Sequence, residues 1–412
     1  MQKPELLAPA GTMEKLEYAI KYGADAIYLG GSDFGLRAMA GNFSLPDLAK
    51  ALQICHASNV RCYLTLNSYL HNNDFAQLEQ YLLQLDELPF DAYIISDPGV
   101  LRMVRRISPG RELHLSTQAN TTNSQAALFW QDQGVSRINL AREMSLEDIA
   151  STAALLRIPC EVFVHGALCV AYSGRCLLSS VMTGRSANKG ACTQPCRWKY
   201  SLVEESRPGE YFPITEENDS TLVFNSRDLC LLEHLPELLA AGVSALKIEG
   251  RMKGIHYLAG VLRVYRTALD RLWTDPENWQ VEQGWLEELA ALSNREYTTG
   301  FLFGDPRQVG QSYQGSYNRS HLLVGSVEEK TIDGSCLVQV RNRFHSGDQL
   351  ELIGPAMKQA VVIAENLRSV NRDGSIEDVD TVHPNMRILI SLPEGAAKGD
   401  LLRINAAAQV VE

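Results

Sequence analysis

The chain has 412 residues, 45% hydrophobic and 21% charged, which is typical of a soluble globular protein with one large and one smaller domain. Its formal net charge of −11 argues against a protein that coats nucleic acid, although a local basic site is compatible with that total. The amino terminus resembles no signal peptide and no apolar run could cross a membrane, so we expect a cytoplasmic protein without a membrane partner.

Short apolar runs alternate with amphipathic segments over the first three quarters of the chain. The apolar runs are residues 6–10, 26–30, 62–67, 92–97, 113–118, 137–140, 161–164 and 245–249. The amphipathic segments include residues 13–22, 45–58, 74–85, 124–133 and 145–156. This alternation predicts a parallel α/β sheet, and eight strands are the number that closes a TIM-like (β/α)8 barrel. An open doubly wound sheet is the alternative.

Polar residues and glycines follow the predicted strands. In such a barrel the chemistry lies at the carboxyl ends of the strands, so we expect these residues to line its mouth. They are Gly11, Gly30, Gly31, Asn67, Asp97, Thr117, Gln118, Asn120, Arg142, His165, Glu249 and Arg251. For Asn67 or Asp97 taken alone, a capping or loop-closing role is the stronger interpretation.

The pattern changes near residue 300. Residues 304–320 are rich in Gly, Gln, Ser and Tyr and are predicted to be a linker. From residue 321, runs that alternate with period two are separated by glycine or proline turns, which predicts a small all-β barrel. The predicted domains are therefore a barrel over residues 1–303 and a carboxyl-terminal β-barrel domain over residues 321–412. We expect the second domain to fold independently and to position a large substrate.

Four cysteines form the strongest motif. Cys169, Cys176, Cys192 and Cys196 have the spacing C-x6-C-x15-C-x3-C within a glycine-containing segment, residues 165–200, that follows the seventh predicted strand. Four thiolates bind Zn²⁺ or an iron–sulfur cluster, and the first pair is too widely spaced for a zinc knuckle. Zinc stays open as the alternative metal. Cys230 stays open as an alternative fourth ligand, although its place before residues 231–239 favours a packing role at a helix start.

The cysteine segment is basic, and other cationic residues are predicted to lie near it. From His165 to Tyr200 the segment contains five Lys or Arg residues and no Asp or Glu, which predicts an anionic substrate. Arginines suited to clamp a carboxylate or phosphate are Arg142, Arg185, Arg197 and Arg251. His165 can donate a proton or hold the loop by a hydrogen bond. The remaining cysteines, Cys55, Cys62, Cys160 and Cys336, lie on apolar faces and are predicted to be packing residues.

Several stretches of the sequence resemble peptidase family U32, and together they extend over nearly the whole chain. They are ELLAPAG, YGADAIYLGG, EVFVHGALCVAYSGRCLLSS, GACTQPCRWKY, NSRDLC and ALKIEGRMK. Despite the family's name, the resemblance implies an oxygen-independent hydroxylase that carries a 4Fe-4S cluster. Its cluster ligands fall on the four-cysteine motif.

Within this family the chain resembles the tRNA-hydroxylating branch. That resemblance implies formation of 5-hydroxyuridine at the anticodon wobble position, with prephenate as the hydroxyl source and an electron donor as a further partner. From their positions at the predicted barrel mouth, His165, Glu249 and Arg251 are the candidate catalytic residues. The substrate-binding residues would be Asn67, Gln118, Arg142, Arg185, Lys189 and Arg197. The alternatives are a collagenase-like peptidase, for which the sequence offers no nucleophile–base pair, and a hydroxylase of ribosomal RNA cytidine or of a ubiquinone precursor.

Overall fold

The computed structural model describes residues 3–35, 42–169, 172–173, 175–195, 227–304, 320–331 and 334–406. The ten strands described in the first sheet are β1 (Glu5–Pro9), β2 (Ala26–Leu29), β3 (Arg61–Leu66), β4 (Ala92–Ile95), β5 (Glu112–Leu115), β6 (Arg137–Asn139), β7 (Cys160–Ala167), β8 (Asp228–Cys230), β9 (Val243–Ile248) and β10 (Tyr297–Thr298). Strands β1 to β7 pair in order, and β9 closes the ring by pairing in parallel with both β7 and β1. The predicted (β/α)8 barrel is therefore confirmed, and the open-sheet alternative is wrong.

The ten helices described alternate with these strands. They are α1 (Met13–Lys21), α2 (Leu45–Ala57), α3 (Phe75–Asp86), α4 (Pro98–Ile107), α5 (Ser124–Asp132), α6 (Leu146–Leu155), α7 (Leu178–Thr183), α8 (Leu235–Ala240), α9 (Ile255–Thr274) and α10 (Gln283–Ala291). Asp97 caps α4, because its carboxylate accepts a hydrogen bond of 2.6 Å from the backbone N–H of Gly99. Asp97 thus has the capping role that its position suggested. Among the described residues, no helix is long and apolar enough to cross a membrane.

The barrel interior contains a network of buried charges. The Arg137 guanidinium lies 2.6 Å from the Glu5 carboxylate and 3.4 Å from that of Glu161. Lys247 donates to Glu161 at 2.7 Å. Burial alone would raise the pKa of Glu161. The positive charges of Lys247 and Arg137 outweigh this effect, so the pKa of Glu161 is below its ordinary value. The expectation that the strand bodies are apolar was therefore wrong for the inward-facing positions.

The carboxyl-terminal region is all-β, as predicted. Its strands are β11 (His321–Lys330), β12 (Cys336–Val340), β13 (Phe344–His345), β14 (Gln349–Ile353), β15 (Gln359–Ile363), β16 (Arg368–Val370), β17 (Ile376–Asp378), β18 (Thr381–Val382), β19 (Arg387–Ile390) and β20 (Leu401–Asn405). Eight of them form an antiparallel sheet in the order β15-β14-β20-β11-β12-β19-β16-β17, and β13 pairs with β18. The end strands β15 and β17 do not pair with each other within the described residues. Nearly all of the predicted linker, residues 305–319, lies outside the described residues.

The two domains are packed together through buried groups. Arg403 in β20 lies 2.9 Å from Glu288 in α10, and both side chains are almost fully buried. Arg263 in α9 donates to the backbone carbonyl of Lys358 at 2.8 Å. Ile353 in β14 belongs to the same apolar core cluster as the barrel helices. These shared contacts argue against the expectation that the carboxyl-terminal domain folds independently.

Candidate active site

A cavity of about 100 Å³ lies at the carboxyl ends of the barrel strands, where the sequence predicted the chemistry. Each predicted site residue in its lining follows a different strand or lies in the segment after β9. The predicted site residues that the structure brings together here are Asn67, Gln118, Arg142, Cys169, Glu249 and Arg251. Their convergence follows from the parallel barrel, because the carboxyl ends of all eight strands meet at one rim.

Positive charge dominates the lining. Arg142, Lys247 and Arg251 carry three positive charges against the single carboxylate of Glu249. The Arg142 guanidinium lies 3.9 Å from the centre of the Phe163 ring and donates to the carbonyl of Ala167 at 3.3 Å. The protein holds these cations in place, since Lys247 pairs with Glu161 and Arg251 donates to Asn42. Their combined charge suits the cavity to an anionic ligand.

Glycine backbones let the segment after β9 approach the neighbouring strands. A Cβ atom at Gly30 would overlap the Arg251 guanidinium, which lies directly against the end of β2. Gly166 has a φ of +108°, and a Cβ there would overlap the carbonyl oxygen of Glu249. The Arg251 side chain is further held by a 2.5 Å hydrogen bond from its Nη2 to the side chain of Asn42. Glu249 and Arg251 are thus fixed in place by backbone that only glycine allows.

Tyrosine hydroxyls support Glu249 from two sides. The Tyr28 hydroxyl lies 3.3 Å from the Glu249 carboxylate and 3.0 Å from the carbonyl of Ile248. The Tyr257 hydroxyl donates to the backbone carbonyl of Glu249 at 3.0 Å. The backbone N–H of Glu249 in turn donates to the carbonyl of His165 at 2.9 Å. A buried carboxylate with fixed neighbours can accept a proton from a bound substrate.

His165 lies outside the cavity, contrary to its predicted place at the mouth. Its side chain is 1% exposed and packs against the rings of Tyr257, Tyr265 and Tyr297 at 5.3–5.9 Å. The register between β7 and β9 shifts between Phe163 and His165, so the inward-outward alternation is interrupted there. Burial lowers the pKa of His165 to about 3. The structure therefore does not bring His165 together with Glu249 and Arg251 in the cavity lining.

The cysteine segment is attached to the loops after β3 and β5. The backbone N–H of Tyr69 donates to the carbonyl of Asn188 at 2.9 Å. Asn120, which has a left-handed φ of 53°, donates from its side-chain amide to the carbonyl of Ser173 at 2.9 Å. The Arg175 guanidinium donates to the Asn120 side-chain oxygen at 2.7 Å. The segment consequently lies over the barrel mouth, as the sequence predicted.

The basic residues of the segment that the structure describes, Arg175, Arg185 and Lys189, do not line the cavity. Lys189 forms a 3.0 Å ion pair with Asp74, beyond the end of β3. Arg185 is exposed and follows α7. Arg197 falls outside the described residues. Arg185 and Lys189 thus belong to an outer basic surface rather than to the cavity.

The described thiols of the motif fit metal binding in their donor type and accessibility. Cys169 and Cys192 are exposed and Cys176 is partly exposed, whereas Cys55, Cys62, Cys160 and Cys336 are buried, as predicted for packing residues. Thiolates are the ligands that iron–sulfur clusters require. Within the described residues, no three His, Cys, Asp or Glu side chains are arranged to hold a metal ion, and Cys196 lies outside those residues.

Cys230 has the predicted packing role, because it packs against the apolar core and lies just before a helical turn that begins at Leu232. It also ends the short strand β8, which pairs antiparallel with β7 and which the sequence did not predict. Its sulfur lies 3.8 Å from the Tyr265 hydroxyl, in the same aromatic group that surrounds His165. This placement gives no support to Cys230 as a cluster ligand at the mouth.

Sequence reasoning missed several cavity residues that lie on the strands themselves. Asn139 ends β6, Phe163 lies in β7 and Lys247 lies in β9, and all three line the cavity. The signal was present as period-two spacing, since Lys247 is followed two residues later by Glu249, and Asn139 follows Arg137 in the same way. Charged residues at alternate positions of an otherwise apolar strand indicate a polar barrel interior.

Comparison with known proteins shows the same family over both domains. The model of peptidase family U32 matches residues 11–312, and the model of the peptidase family U32 C-terminal domain matches residues 319–403. The tRNA hydroxylation protein P1 of Bacillus subtilis is 37% identical over 404 residues, which cover 98% of this chain and 95% of that protein. The tRNA hydroxylation protein P of Escherichia coli is 36% identical over 397 residues, with 86% and 87% covered. A protein named collagenase from Porphyromonas gingivalis is 29% identical, with 97% of each chain covered.

Proposed function

The chain belongs to peptidase family U32, and on that premise we propose that it is a tRNA hydroxylase. The proposed product is 5-hydroxyuridine at the wobble position of the anticodon, with prephenate as the hydroxyl source. Two relatives are named tRNA hydroxylation proteins, and the similarity to this chain extends over 95% and 87% of their lengths. A tRNA substrate also makes the cytoplasm the proposed place of the reaction.

The observation that carries this proposal is that a cysteine of the four-cysteine motif lies in the lining of a positively charged cavity. Cys169, the first cysteine of the motif, lines the same cavity as Arg142 and Arg251. Prephenate has two carboxylates, and guanidinium groups bind carboxylates through paired charge-assisted hydrogen bonds. We assign Arg142 and Arg251 to the hydroxyl donor, with Asn67 and Gln118 as further polar contacts at the same rim.

Glu249 is the residue assigned to proton transfer. When C5–OH replaces C5–H, the uracil loses its C5 proton and two electrons, and the hydroxyl donor, whose C–OH bond breaks, takes up two electrons and a proton in exchange. Glu249 is the only carboxylate among the described lining residues and can accept and pass on that proton. Tyr28 and Tyr257 hold it in one position. His165 has no part in this step, because its ring lies behind the barrel wall.

The proposed cofactor is a 4Fe-4S cluster held by Cys169, Cys176, Cys192 and Cys196. When bound, such a cluster would activate the oxygen donor or pass electrons from a partner protein. The described part of the segment is attached to the loops after β3 and β5, and Cys169 lines the cavity. These contacts support a cluster next to the cavity.

The tRNA is proposed to contact the basic surface outside the cavity. Arg185 and Lys189 lie on the cysteine segment, and Arg197 follows in its sequence. Lysine and arginine contacts to phosphates supply most of the sequence-independent affinity for RNA. An anticodon base is already unpaired, so less free energy is needed to bring it into a pocket than for a base within a duplex.

A peptidase function finds no matching geometry in the cavity. No histidine lies among the described lining residues. The described partners of the Ser116 hydroxyl are donors, the Asn67 side chain at 3.1 Å and the Gln118 backbone N–H at 3.4 Å, and neither is a base. A nucleophile needs an adjacent base to be activated. The described cavity therefore favours the hydroxylase over the peptidase.

The proposal is tested by mass spectrometry of tRNA nucleosides from a strain that lacks this gene. We expect 5-hydroxyuridine and its derivatives to disappear and to return when the wild-type protein is supplied. The Glu249→Gln variant should not restore them, whereas a matched surface change, Glu377→Gln in the exposed strand β17, should restore them fully.

Two outcomes would contradict the proposal. Unchanged tRNA nucleosides in the deletion strain would exclude tRNA hydroxylation, and loss of gelatin cleavage in the same strain would then favour the peptidase. Cells that cannot make prephenate should lose the same nucleosides, so their persistence would exclude prephenate as the hydroxyl source.

A further inference from the structure

Asn139 is a buried carboxamide whose polar atoms point to a missing ligand. It is the last residue of β6, it lines the cavity, and only 2% of it is exposed. Neither its side-chain oxygen nor its side-chain nitrogen has a hydrogen-bond partner in the part of the chain that the structure describes. Buried polar groups are normally paired, because leaving them unpaired costs their full desolvation. A ligand in the cavity is therefore expected to supply both a donor and an acceptor.

Some polar groups close to Asn139 already have partners within the protein. Arg137, two residues earlier on the same face of β6, is paired with Glu5 and Glu161. The hydroxyl of Thr65 lines the cavity but donates to the carbonyl of Leu29 at 3.0 Å. Among the described lining residues, the side-chain oxygen of Gln118 and the Nε atom of Arg142 are also buried without a partner. Asn139 is the residue of the described lining in which both a donor and an acceptor are buried without a partner.

The chemistry of a carboxamide decides which ligand suits it. A carboxylate presents only acceptors, so it suits Arg142 and Arg251 but cannot satisfy the Oδ1 atom of Asn139. The Watson–Crick edge of uracil presents the N3–H donor next to the O4 acceptor. Asparagine and glutamine bind base edges of this kind through two hydrogen bonds, and enzymes that act on a base read its Watson–Crick edge in a pocket.

We infer, on the premise of the proposed tRNA hydroxylase, that Asn139 binds the Watson–Crick edge of the target uracil. Its Oδ1 accepts from N3–H, and its Nδ2 donates to O4. Tyr28, Ile94 and Phe163 line the same cavity and provide the apolar surfaces against which a base packs. Because C6 lies opposite N3 in the ring, this orientation leaves the C5–C6 side and the sugar directed away from the bottom of the cavity.

The test is equilibrium binding of two anticodon stem-loop RNAs to the full-length protein. One RNA carries uridine at the wobble position, and the other carries 3-methyluridine, which lacks the N3–H donor. We expect the wild-type protein to bind the uridine RNA about 10- to 100-fold more tightly, the range for a two-bond base contact. The Asn139→Leu variant should bind both RNAs with similar affinity.

Two further variants complete the design. Asn139→Asp keeps the size of the side chain and the acceptor for N3–H but replaces the donor to O4 by an acceptor, so it should bind the uridine RNA more weakly than the wild-type protein while keeping part of the preference. Its affinity for the uridine RNA is the measurement to use if the leucine variant does not fold. Ser136→Ala is the matched control, because Ser136 precedes the same strand and donates only to the carbonyl of Leu113 at the far end. It should keep the wild-type preference.

The outcomes separate this inference from the proposed function. If Asn139→Leu keeps the wild-type preference, or if Asn139→Asp binds the uridine RNA as tightly as the wild-type protein, Asn139 does not bind the base edge, although tRNA can still be the substrate. If the wild-type protein binds both RNAs equally, the edge is not recognised and the inference is wrong. If it binds neither RNA, tRNA itself fails as the substrate, and the inference fails with it.

Discussion

His165 shows how a residue with catalytic chemistry can be part of the scaffold. Its ring is enclosed by three tyrosines. Among the described residues, its Nδ1 atom has a hydrogen-bond partner, the Tyr265 hydroxyl at 3.4 Å, and its Nε2 atom has none. Its backbone carbonyl accepts the N–H of Glu249 and so helps to place the cavity carboxylate. With a pKa of about 3 the imidazole is neutral at physiological pH. The residue supports the barrel wall, and the proton chemistry is left to groups inside the cavity.

The buried imidazole predicts a dependence of stability on pH. The pKa of His165 is about 3 in the folded state and 6.5 as its ordinary value, so below pH 6.5 the unfolded state binds the proton that the folded state excludes. Stability is full above pH 6.5 and falls as the pH drops from there towards 3. Between pH 7.5 and 5.5 the free energy of unfolding should fall by about 1 kcal/mol from this group alone. Urea unfolding at the two pH values measures it.

The control is the His165→Phe variant, which keeps an aromatic ring among the tyrosines but cannot be protonated. We expect the pH-dependent loss to be smaller in this variant by about 1 kcal/mol, the contribution of one group. His114, whose pKa is also lowered by burial, is present in both proteins and cancels from the comparison. Equal losses in both proteins would show that the imidazole reaches a proton acceptor or water in the folded state.

At the scale of the elements, the sequence predicts the strands well and their inward faces poorly. Each barrel strand has its own apolar run, and parallel pairing then brings the polar strand ends together, so Asn67, Arg142 and Glu249 could be placed at one rim. The charge network could not be predicted in this way, because it joins β1, β6, β7 and β9 and exists only once the barrel closes. Strands β8 and β10, of three and two residues, are too short to show a period.

His165 was misplaced for a related reason. Strict alternation from Glu161 and Phe163 would turn it into the cavity, and the register shift that turns it outward has no signature in a single sequence. The same limit applies to the strand that ends at Cys230, because an antiparallel strand of three residues beside β7 resembles a loop in sequence.

One asparagine makes two of the contacts that attach the cysteine segment, so the attachment can be tested. Asn120 has a left-handed backbone and bonds both Ser173 and Arg175, between the first two motif cysteines. We expect Asn120→Gly, which keeps the backbone conformation and removes both bonds, to loosen the segment. Trypsin, which cuts after Arg and Lys, should then cleave at Arg175, Arg185 or Lys189 several-fold faster than in the wild-type protein.

A matched variant separates the two bonds of Asn120. Asn120→Asp keeps the acceptor for Arg175 and loses the donor to Ser173, so its cleavage rate should lie between those of the wild-type and glycine proteins. Asn59→Gly is the control, because Asn59 also has a left-handed backbone, with a φ of 55°, but lies at the end of α2 far from the segment. Equal cleavage of Asn120→Gly and wild type would show that other contacts hold the segment.

At the scale of the whole molecule, the barrel and the β domain share one interface of apolar and charged groups. The Tyr22 hydroxyl reaches the carbonyls of Ile353 and Gly399, at 3.3 and 3.2 Å. Leu401 packs in the core cluster of the barrel. A chain truncated within the predicted linker would lack the β domain. The Tyr22 hydroxyl would then lose both carbonyl partners, and the barrel core would lose its contact with Leu401. We therefore expect the two domains to unfold as one cooperative unit, in place of the independent folding that the sequence suggested.

The buried ion pair between the domains provides the sharpest test of that unit. Arg403 lies 2.9 Å from Glu288 and also 2.9 Å from Glu351, and removing it leaves the Glu288 carboxylate buried with only a more distant cation, Arg263 at 3.7 Å. Breaking one side of a buried pair costs about 3–5 kcal/mol, so Arg403→Met should lower the free energy of unfolding by that amount. Arg387→Met is the matched control, because Arg387 in β19 pairs with Glu328 at the surface and should cost less than about 1 kcal/mol.

The shape of the urea unfolding curve then decides between one unit and two. If the domains unfold together, tryptophan fluorescence, to which the buried barrel residue Trp285 contributes, and far-ultraviolet circular dichroism should give the same midpoint. Arg403→Met should shift both signals equally. In Arg403→Met, the fluorescence midpoint could instead stay at its wild-type value while the circular dichroism curve divides into two steps. That result would show that the barrel is stable when the β domain has unfolded. The shared core would then serve only to orient the β domain over the barrel.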